Sequence, residues 1–206
     1  KGVGTQLAKL LEAQNEPCLL ACAGPDYQQI AANHYQLNPH NAAEFERFVT
    51  EALTQAPVGI INLWSLSFPE EDYLSAPVSM LHLLQALNRL GKTAPLWLVT
   101  NDTQAPNQNG QNVQALWQLS LWGLARVIQA EHPEFSCVCV DLGEEIKELP
   151  LLLNELHFNN GENQIALRGD QRYVARLTPL ELTEKSPPLT IKIHGDACYL
   201  ITGGLG

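Results

Sequence analysis

The stretch "LWGLARVIQAEHPEFSCVCVDL", residues 121–142, contains the end of a helix, a stop and a strand. The helix runs from Val113 to Ala130 and carries Trp117, Leu121 and Trp122. Glu131-His132-Pro133 closes it: a histidine near a helix C-terminus suits the dipole, and proline cannot continue the helix. "SCVCVDL" is then a near-continuous apolar run, which reads as a strand buried on both faces. A long helix joined to a buried strand by a short link is one unit of an alternating α/β fold.

The same unit recurs on either side. Gly4 to Gln14 is an amphipathic helix with Leu7, Leu10 and Leu11 on one face. "CLLACAG" (18–24) is a buried strand in the 18–23 region. Ala42 to Gln55 is a helix with Asn41 as N-cap and a stripe of Phe45, Phe48, Val49 and Leu53. "VGIINLWS" (58–65) is a strand; Pro77 opens a helix that runs from Val78 to Leu90, with Leu81, Leu84 and Leu87 inward and Gly91 as its cap. "PLWLVT" (95–100) is the next strand, "NDTQAPNQNG" (101–110) a polar loop, and Ile146 to Leu156 a helix. "NQIALRG" and "QRYVARL" meet at Gly169-Asp170, a hairpin signal. Strands near 18–23, 58–64, 95–100 and 136–141 are therefore expected in one parallel sheet with helices on both faces. The segment 178–196 reads as a linker, with "LTIKI" (189–193) pairing briefly as a strand, and Cys198–Thr202 as a last buried strand before a glycine turn.

Composition narrows the function. The 206 residues carry a formal charge of −10 with a pI near 5.0, which argues against nucleic acid or an anionic membrane as partner. No apolar run approaches the roughly 20 residues that span a bilayer. Of the five cysteines, Cys137 and Cys139 share a face of one strand and Cys18 and Cys22 lie on another with no histidine at metal-ligand spacing; with Cys198 they read as free thiols in a reducing cytosol, and no metal site is expected.

Four motifs in order carry a family resemblance. "LWGLARVIQAEHPEFSCVCVDL" resembles the LWGLGRV…EHP…VDL segment of modular polyketide synthase ketoreductase domains. "IALRGDQRYVARL" resembles their RYVARL segment, and "YLITGGLG" (199–206) the start of their catalytic half, where T-G-G-x-G-x-L-G holds NADPH. "GVGTQLAKLLEAQ" and "IINLWSL" fall in the expected order. The resemblance implies a truncated Rossmann-like, doubly wound parallel sheet: the structural, non-catalytic half of a short-chain-dehydrogenase-like ketoreductase. It implies a structural subdomain over 1–188 with its first strand missing before Gly2. Residues 189–206 would supply the linker, first strand and glycine turn of the catalytic subdomain. Thr202, Gly203, Gly204, Leu205 and Gly206 would lie beside NADPH in the intact enzyme; no cofactor is expected for this chain alone. The implied partners are the catalytic subdomain and an acyl carrier protein bearing a phosphopantetheine-bound β-keto thioester, in the cytoplasm. Two unpartnered seams, before Gly2 and at "YLIT", imply marginal stability alone. A scaffold beside a methyltransferase or other synthase domain, or an independent small-molecule-binding domain, are the rival readings.

The residues themselves point away from catalysis. Hydride transfer in this family needs a tyrosine with a lysine four residues on, sharing a helix face. The residues four after Tyr27, Tyr35, Tyr73, Tyr173 and Tyr199 are Ala31, Pro39, Pro77, Leu177 and Gly203. Catalytic residues are therefore expected to be none. Arg126, Glu131 and His132 read as a helix terminus, and Arg126, Arg172 and Arg176 as ion-pair partners of Glu131, Asp141 or Glu134. Asp141 stands where a dinucleotide fold can bind ribose, but without a complete glycine fingerprint upstream. Trp64 and Trp97 read as packing residues on strands.

Overall fold

The computed structural model describes residues 2–106, 115–143, 147–158, 160–179, 194–200 and 202. The chain divides into a compact unit, Lys1–Ala175, and a second unit, Arg176–Gly206. In the first, the strands are β1 (Leu20–Ala23), β2 (Gln28–Ala31), β3 (His34–Leu37), β4 (Ile60–Asn62), β5 (Leu96–Asn101), β6 (Val138–Leu142), β7 (Gln164–Arg168) and β8 (Gln171–Val174). The helices are α1 (Val3–Glu12), α2 (Ala42–Glu51), α3 (Ser75–Arg89), α4 (Leu119–Glu131) and α5 (Leu149–His157).

The main sheet has the order β4-β5-β6-β7-β8, parallel except for the antiparallel hairpin partner β8. Side chains alternate across a strand, so each strand feeds two cores. Leu96, Leu98, Cys137 and Cys139 point to the face covered by α2, α3 and α4. Trp97, Val99, Val138, Val140, Leu142, Ile165 and Leu167 point to the face covered by α1 and α5. The expected parallel α/β sheet with helices on both faces is observed.

One strand is placed differently. β1 does not join the parallel sheet; it pairs in parallel with β3, and β3 pairs antiparallel with β2, forming a separate three-stranded sheet. β2 and β3 were not anticipated, because the apolar residues of "QQIAANHYQL" are interspersed with polar ones rather than gathered in a run, and β2 is exposed along its length. Among the described residues, β1 and β4 each have one unpaired edge, and a side chain links the two sheets: Trp64 Nε1 donates to Ala21 O at 2.9 Å. Trp64 itself sits in a 3-10 turn after β4 rather than on the strand.

The helices follow their local signals. Asn41 Oδ1 accepts from Ala43 N at 3.2 Å, so one N–H group at the start of α2 is satisfied by the N-cap side chain, and Glu44 Oε2 accepts from Asn38 N, in the loop before the helix, at 2.7 Å; an N-cap of this kind contributes about 1 kcal/mol. Gly91 ends α3 with φ 61°, a left-handed cap that L-residues adopt at a cost. Several expected edges shift. Leu81 and Leu10 are largely outside the core while Leu84, Leu87, Leu7 and Leu11 are within it. A 3-10 turn at Leu116–Gln118 precedes α4, and the residues before Ala115 in its expected range lie outside the described residues. Ile146, the expected start of α5, and most of the linker with "LTIKI" also lie outside them. Cys198, Tyr199, Leu200 and Thr202 belong to no strand, and Leu200 is 89% exposed. A strand needs a ladder partner for its backbone groups, and apolar content alone supplies none.

On the outer side of α2, Arg47 lies 4.2 Å from the centre of the Tyr27 ring, and Tyr27 Oη donates to Glu51 Oε2 at 2.9 Å. Desolvation, followed by this bond to a carboxylate, pushes the Tyr27 phenol from 10.0 up to about 12. The raised value favours the protonated phenol in the fold. Its stabilising contribution is therefore complete below pH 10.0 and lost as pH rises through about 12. An ultraviolet phenolate titration is expected to show one late transition that Tyr27→Phe removes. If Tyr27→Phe leaves the titration curve unchanged in shape, the Tyr27–Glu51 bond does not persist in solution.

Candidate functional site

In open α/β sheets, ligands bind outside the carboxyl ends of the strands. Here that region is the top of β5, β6 and β7, and its centre is Asp141, with no solvent exposure. Asp141 Oδ1 accepts from Thr100 Oγ1 (2.7 Å), Thr103 Oγ1 (2.6 Å) and Thr103 N (3.0 Å). Its Oδ2 accepts from Gln104 N (3.1 Å) and Arg168 Nη2 (2.5 Å). The backbone turns back for this: Asp102 adopts φ 52°, which aims the next two N–H groups at the carboxylate. Arg168 further donates to the carbonyls of Asp141 (3.0 Å), Leu167 (2.8 Å) and Gln104 (2.7 Å).

Neighbouring groups close the rest. Trp122 Nε1, from the inner face of α4, donates to Thr100 Oγ1 at 3.1 Å. Gln118 pairs with Asn101 twice, accepting from its backbone N (3.1 Å) and donating to its Oδ1 (2.9 Å). Glu148, ahead of α5, accepts from Gly143 N (3.3 Å) and Gly169 N (3.0 Å). Among the described residues, Asp141 is thus enclosed by a polar network to which the Trp122 indole is joined through Thr100. A carboxylate committed to two hydroxyls, two amides and a guanidinium has no capacity left for a ribose, so Asp141 does not fit the dinucleotide role.

Arg168, not one of the three expected arginines, is the partner of Asp141. It was legible as a cation at the end of an apolar strand, "IALR", where burial demands a counter-charge. Arg172 pairs with Glu155 instead, Nε to Oε1 at 2.5 Å, tying β8 to α5. His132 caps α4 and contacts Glu134 Oε1 at 3.0 Å, in keeping with a helix terminus. Trp97 is buried in the core, and its ring lies where a side chain at Gly59 would need to be, with Cζ3 2.7 Å from a Cβ built there.

One constellation was not foreseen. Ser75 Oγ lies 2.8 Å from His40 Nε2 and 2.5 Å from Asp72 Oδ1. The serine stands in the middle and is fully buried, so it donates to Asp72 and receives from His40. A nucleophilic serine needs the histidine as its base, in the middle of the relay; this arrangement instead fastens the start of α3 to the loop after β3.

Burial pushes the thiols of Cys137, to about 12, and of Cys139, higher still, which leaves them inert protonated core residues. No cluster of metal-ligating side chains occurs among the described residues, and no helix there is long and apolar enough to cross a membrane. A cleft at the opposite, N-terminal ends of β5–β7, between Trp97 and Phe158, holds about 10 Å³, the room of one water. Of the expected NADPH-proximal residues, Thr202 is exposed and outside regular structure; Gly203, Gly204, Leu205 and Gly206 lie outside the described residues.

Residues 11–177 match the family described as the Rossmann fold domain of the polyketide synthase extender module SpnB. The chain belongs to this family. This polyketide synthase Rossmann domain is 32% identical over 200 residues to polyketide synthase GfsA of Streptomyces halstedii, covering 91% of the chain and 2% of GfsA. It is 35% identical over 133 residues to the pikromycin polyketide synthase component PikAIII of Streptomyces venezuelae, covering 60% of the chain and 8% of that protein. The domain therefore spans a small part of the curated relatives it matches. Among solved structures, a C2-type ketoreductase from a modular polyketide synthase superposes with a TM-score of 0.62 at 27% identity, covering 75% of this chain and 36% of that one.

Proposed function

We infer that the domain is the structural, non-catalytic half of a polyketide synthase ketoreductase. The observation that carries this reading is the Asp141 carboxylate at the carboxyl end of β6, which is fully engaged by Thr100, Thr103, Gln104 and Arg168 and has no acceptor left for a ribose. The missing Tyr-x-x-x-Lys pair agrees with it. In the intact enzyme the other half binds NADPH and reduces a β-keto thioester carried on an acyl carrier protein. The half described here packs against it and holds the cleft in shape. The subdomain extends over 1–188, and 189–206 lead into the catalytic half, with Thr202, Gly203, Gly204, Leu205 and Gly206 at its phosphate-binding turn. The enzyme works in the cytoplasm, as its free thiols suggest.

Calorimetric titration of the 206-residue chain with NADPH tests the reading. The expected result is no measurable heat of binding, together with no oxidation of NADPH when a β-keto thioester is added. A micromolar dissociation constant, or turnover, overturns it and favours an independent cofactor-binding domain. The parent protein should carry the reductase activity that the chain lacks.

A further inference from the structure

Between α5 and β7 stands an asparagine–glycine pair, Asn160-Gly161, with Asn160 lining the cleft beside Trp97 and Phe158. Glycine lacks a Cβ, so the main-chain nitrogen after this asparagine is the least hindered that a chain can place there. Gly161 turns with φ 82°, and a Cβ added to it would meet nothing within 4 Å, so solvent has room to reach it. Asn160 is exposed, and its Oδ1 accepts from Glu162 N at 3.3 Å and from Arg172 Nη2 at 3.1 Å. Both neighbours are donors, which fixes which end of the amide is the oxygen. The guanidinium is held in place, because Nε and Nη2 also donate to Glu155 Oε1 (2.5 Å) and Oε2 (3.1 Å). A side-chain amide thus carries a backbone N–H and an anchored cation on its carbonyl oxygen, the arrangement that stabilises a developing oxyanion.

We propose that Asn160 is a site of spontaneous, structure-assisted deamidation, a covalent modification of the chain by its own backbone. Gly161 N gives up its proton to solvent and attacks Asn160 Cγ. As the N–Cγ bond forms, negative charge moves onto Oδ1, where Glu162 N and Arg172 receive it. The Cγ–Nδ2 bond then breaks, the amide nitrogen takes a proton from solvent and leaves as ammonia, and a cyclic succinimide remains. Water opens the ring: cleavage at Cγ gives aspartate, and cleavage at the Asn160 main-chain carbonyl gives isoaspartate, with no oxidant or reductant needed. Aspartate puts a carboxylate against Arg172, beside that of Glu155. Isoaspartate instead routes the backbone through Cγ and lengthens the link between α5 and β7. Either product adds negative charge to a chain that already carries −10.

Incubation of the 206-residue chain in mildly alkaline buffer, native or unfolded in guanidinium chloride, tests this. Peptide mass spectrometry follows the mass gain of replacing NH2 by OH at Asn160, and enzymatic methylation of isoaspartyl carboxylates reads the second product. The native chain is expected to convert Asn160 at least about tenfold faster than the unfolded one, a smaller factor than buried oxyanion donors give because this site is exposed. A native rate equal to or below the unfolded rate overturns the proposal, since the fold then shields the amide. Arg172→Gln is expected to bring the native rate down to the unfolded one. A native rate that Arg172→Gln leaves unchanged overturns the proposal too, because the pair then reacts without the guanidinium. If circular dichroism shows that this variant does not fold, the wild-type comparison alone decides.

Discussion

Asp141→Ala is expected to lower the unfolding free energy by about 3–5 kcal/mol, the usual loss when one member of a buried ion pair is removed. Little of that is the pair's own attraction. The substitution leaves the Arg168 guanidinium in a largely enclosed site, with its side chain 13% exposed and only carbonyls for company. It also strands the Thr103 and Gln104 amides and two threonine hydroxyls that now point at the carboxylate. Because domains of this size have roughly 5–15 kcal/mol in total, such a loss is a large fraction of the stability. The double variant Asp141→Ala with Arg168→Met should recover part of the loss, since it removes the orphaned charge. Urea unfolding of the wild type, both single variants and the double variant measures this. A cost under about 1 kcal/mol for Asp141→Ala would mean that water already reaches the carboxylate, and the enclosure of Asp141 would be disproved.

Trp122→Ala is expected to cost about 3–5 kcal/mol as well, by a different route. The indole is nearly buried between α4 and β5 and donates to Thr100 Oγ1. Truncation removes its apolar surface from the core and opens a hole beside the Asp141 network. Trp122→Phe retains most of the volume and loses one hydrogen bond, so its cost should be nearer 1 kcal/mol. The contrast between the two variants, read from denaturant midpoints, separates packing from the hydrogen bond. If phenylalanine costs as much as alanine, the bond to Thr100 dominates and the packing account is wrong.

The fold was readable where burial is two-sided. β5 and β6 are continuous apolar runs, and nothing else in a chain of this length satisfies such a run. The same rule misplaced β1. "CLLACAG" predicts a buried strand, but a run of apolar residues says only that partners exist, not which strand supplies them; its partner β3, "HYQL", carries a weak alternating pattern. The polar site was half legible. Asp141 at the end of "VDL" was visible as a group needing partners, while Arg168 ends β7 and Thr100 and Thr103 come from β5 and the turn after it, two segments that only the sheet register brings to β6. Exposure of Leu81 and burial of Ser75 escaped for a related reason: helix periodicity gives a stripe, and neighbouring helices decide how wide it is.

The division into two sheets also governs how the molecule avoids its own kind. An exposed strand edge is a template for unwanted pairing, and aggregation begins at edges that are flat and apolar. The outer edges are protected: β2 is solvated, led by two glutamines, and bulged between Gln29 and Ala31, and β8 is four residues long with an arginine in it. The edges of β1 and β4 are the opposite, "LACA" and "IIN". Trp64, held to Ala21 O, spans from one sheet to the other. The indole thus occupies a backbone carbonyl of β1 and, standing two residues after β4, ties the two apolar edge strands among the described residues together; loss of that bond would free a carbonyl that a foreign strand could use.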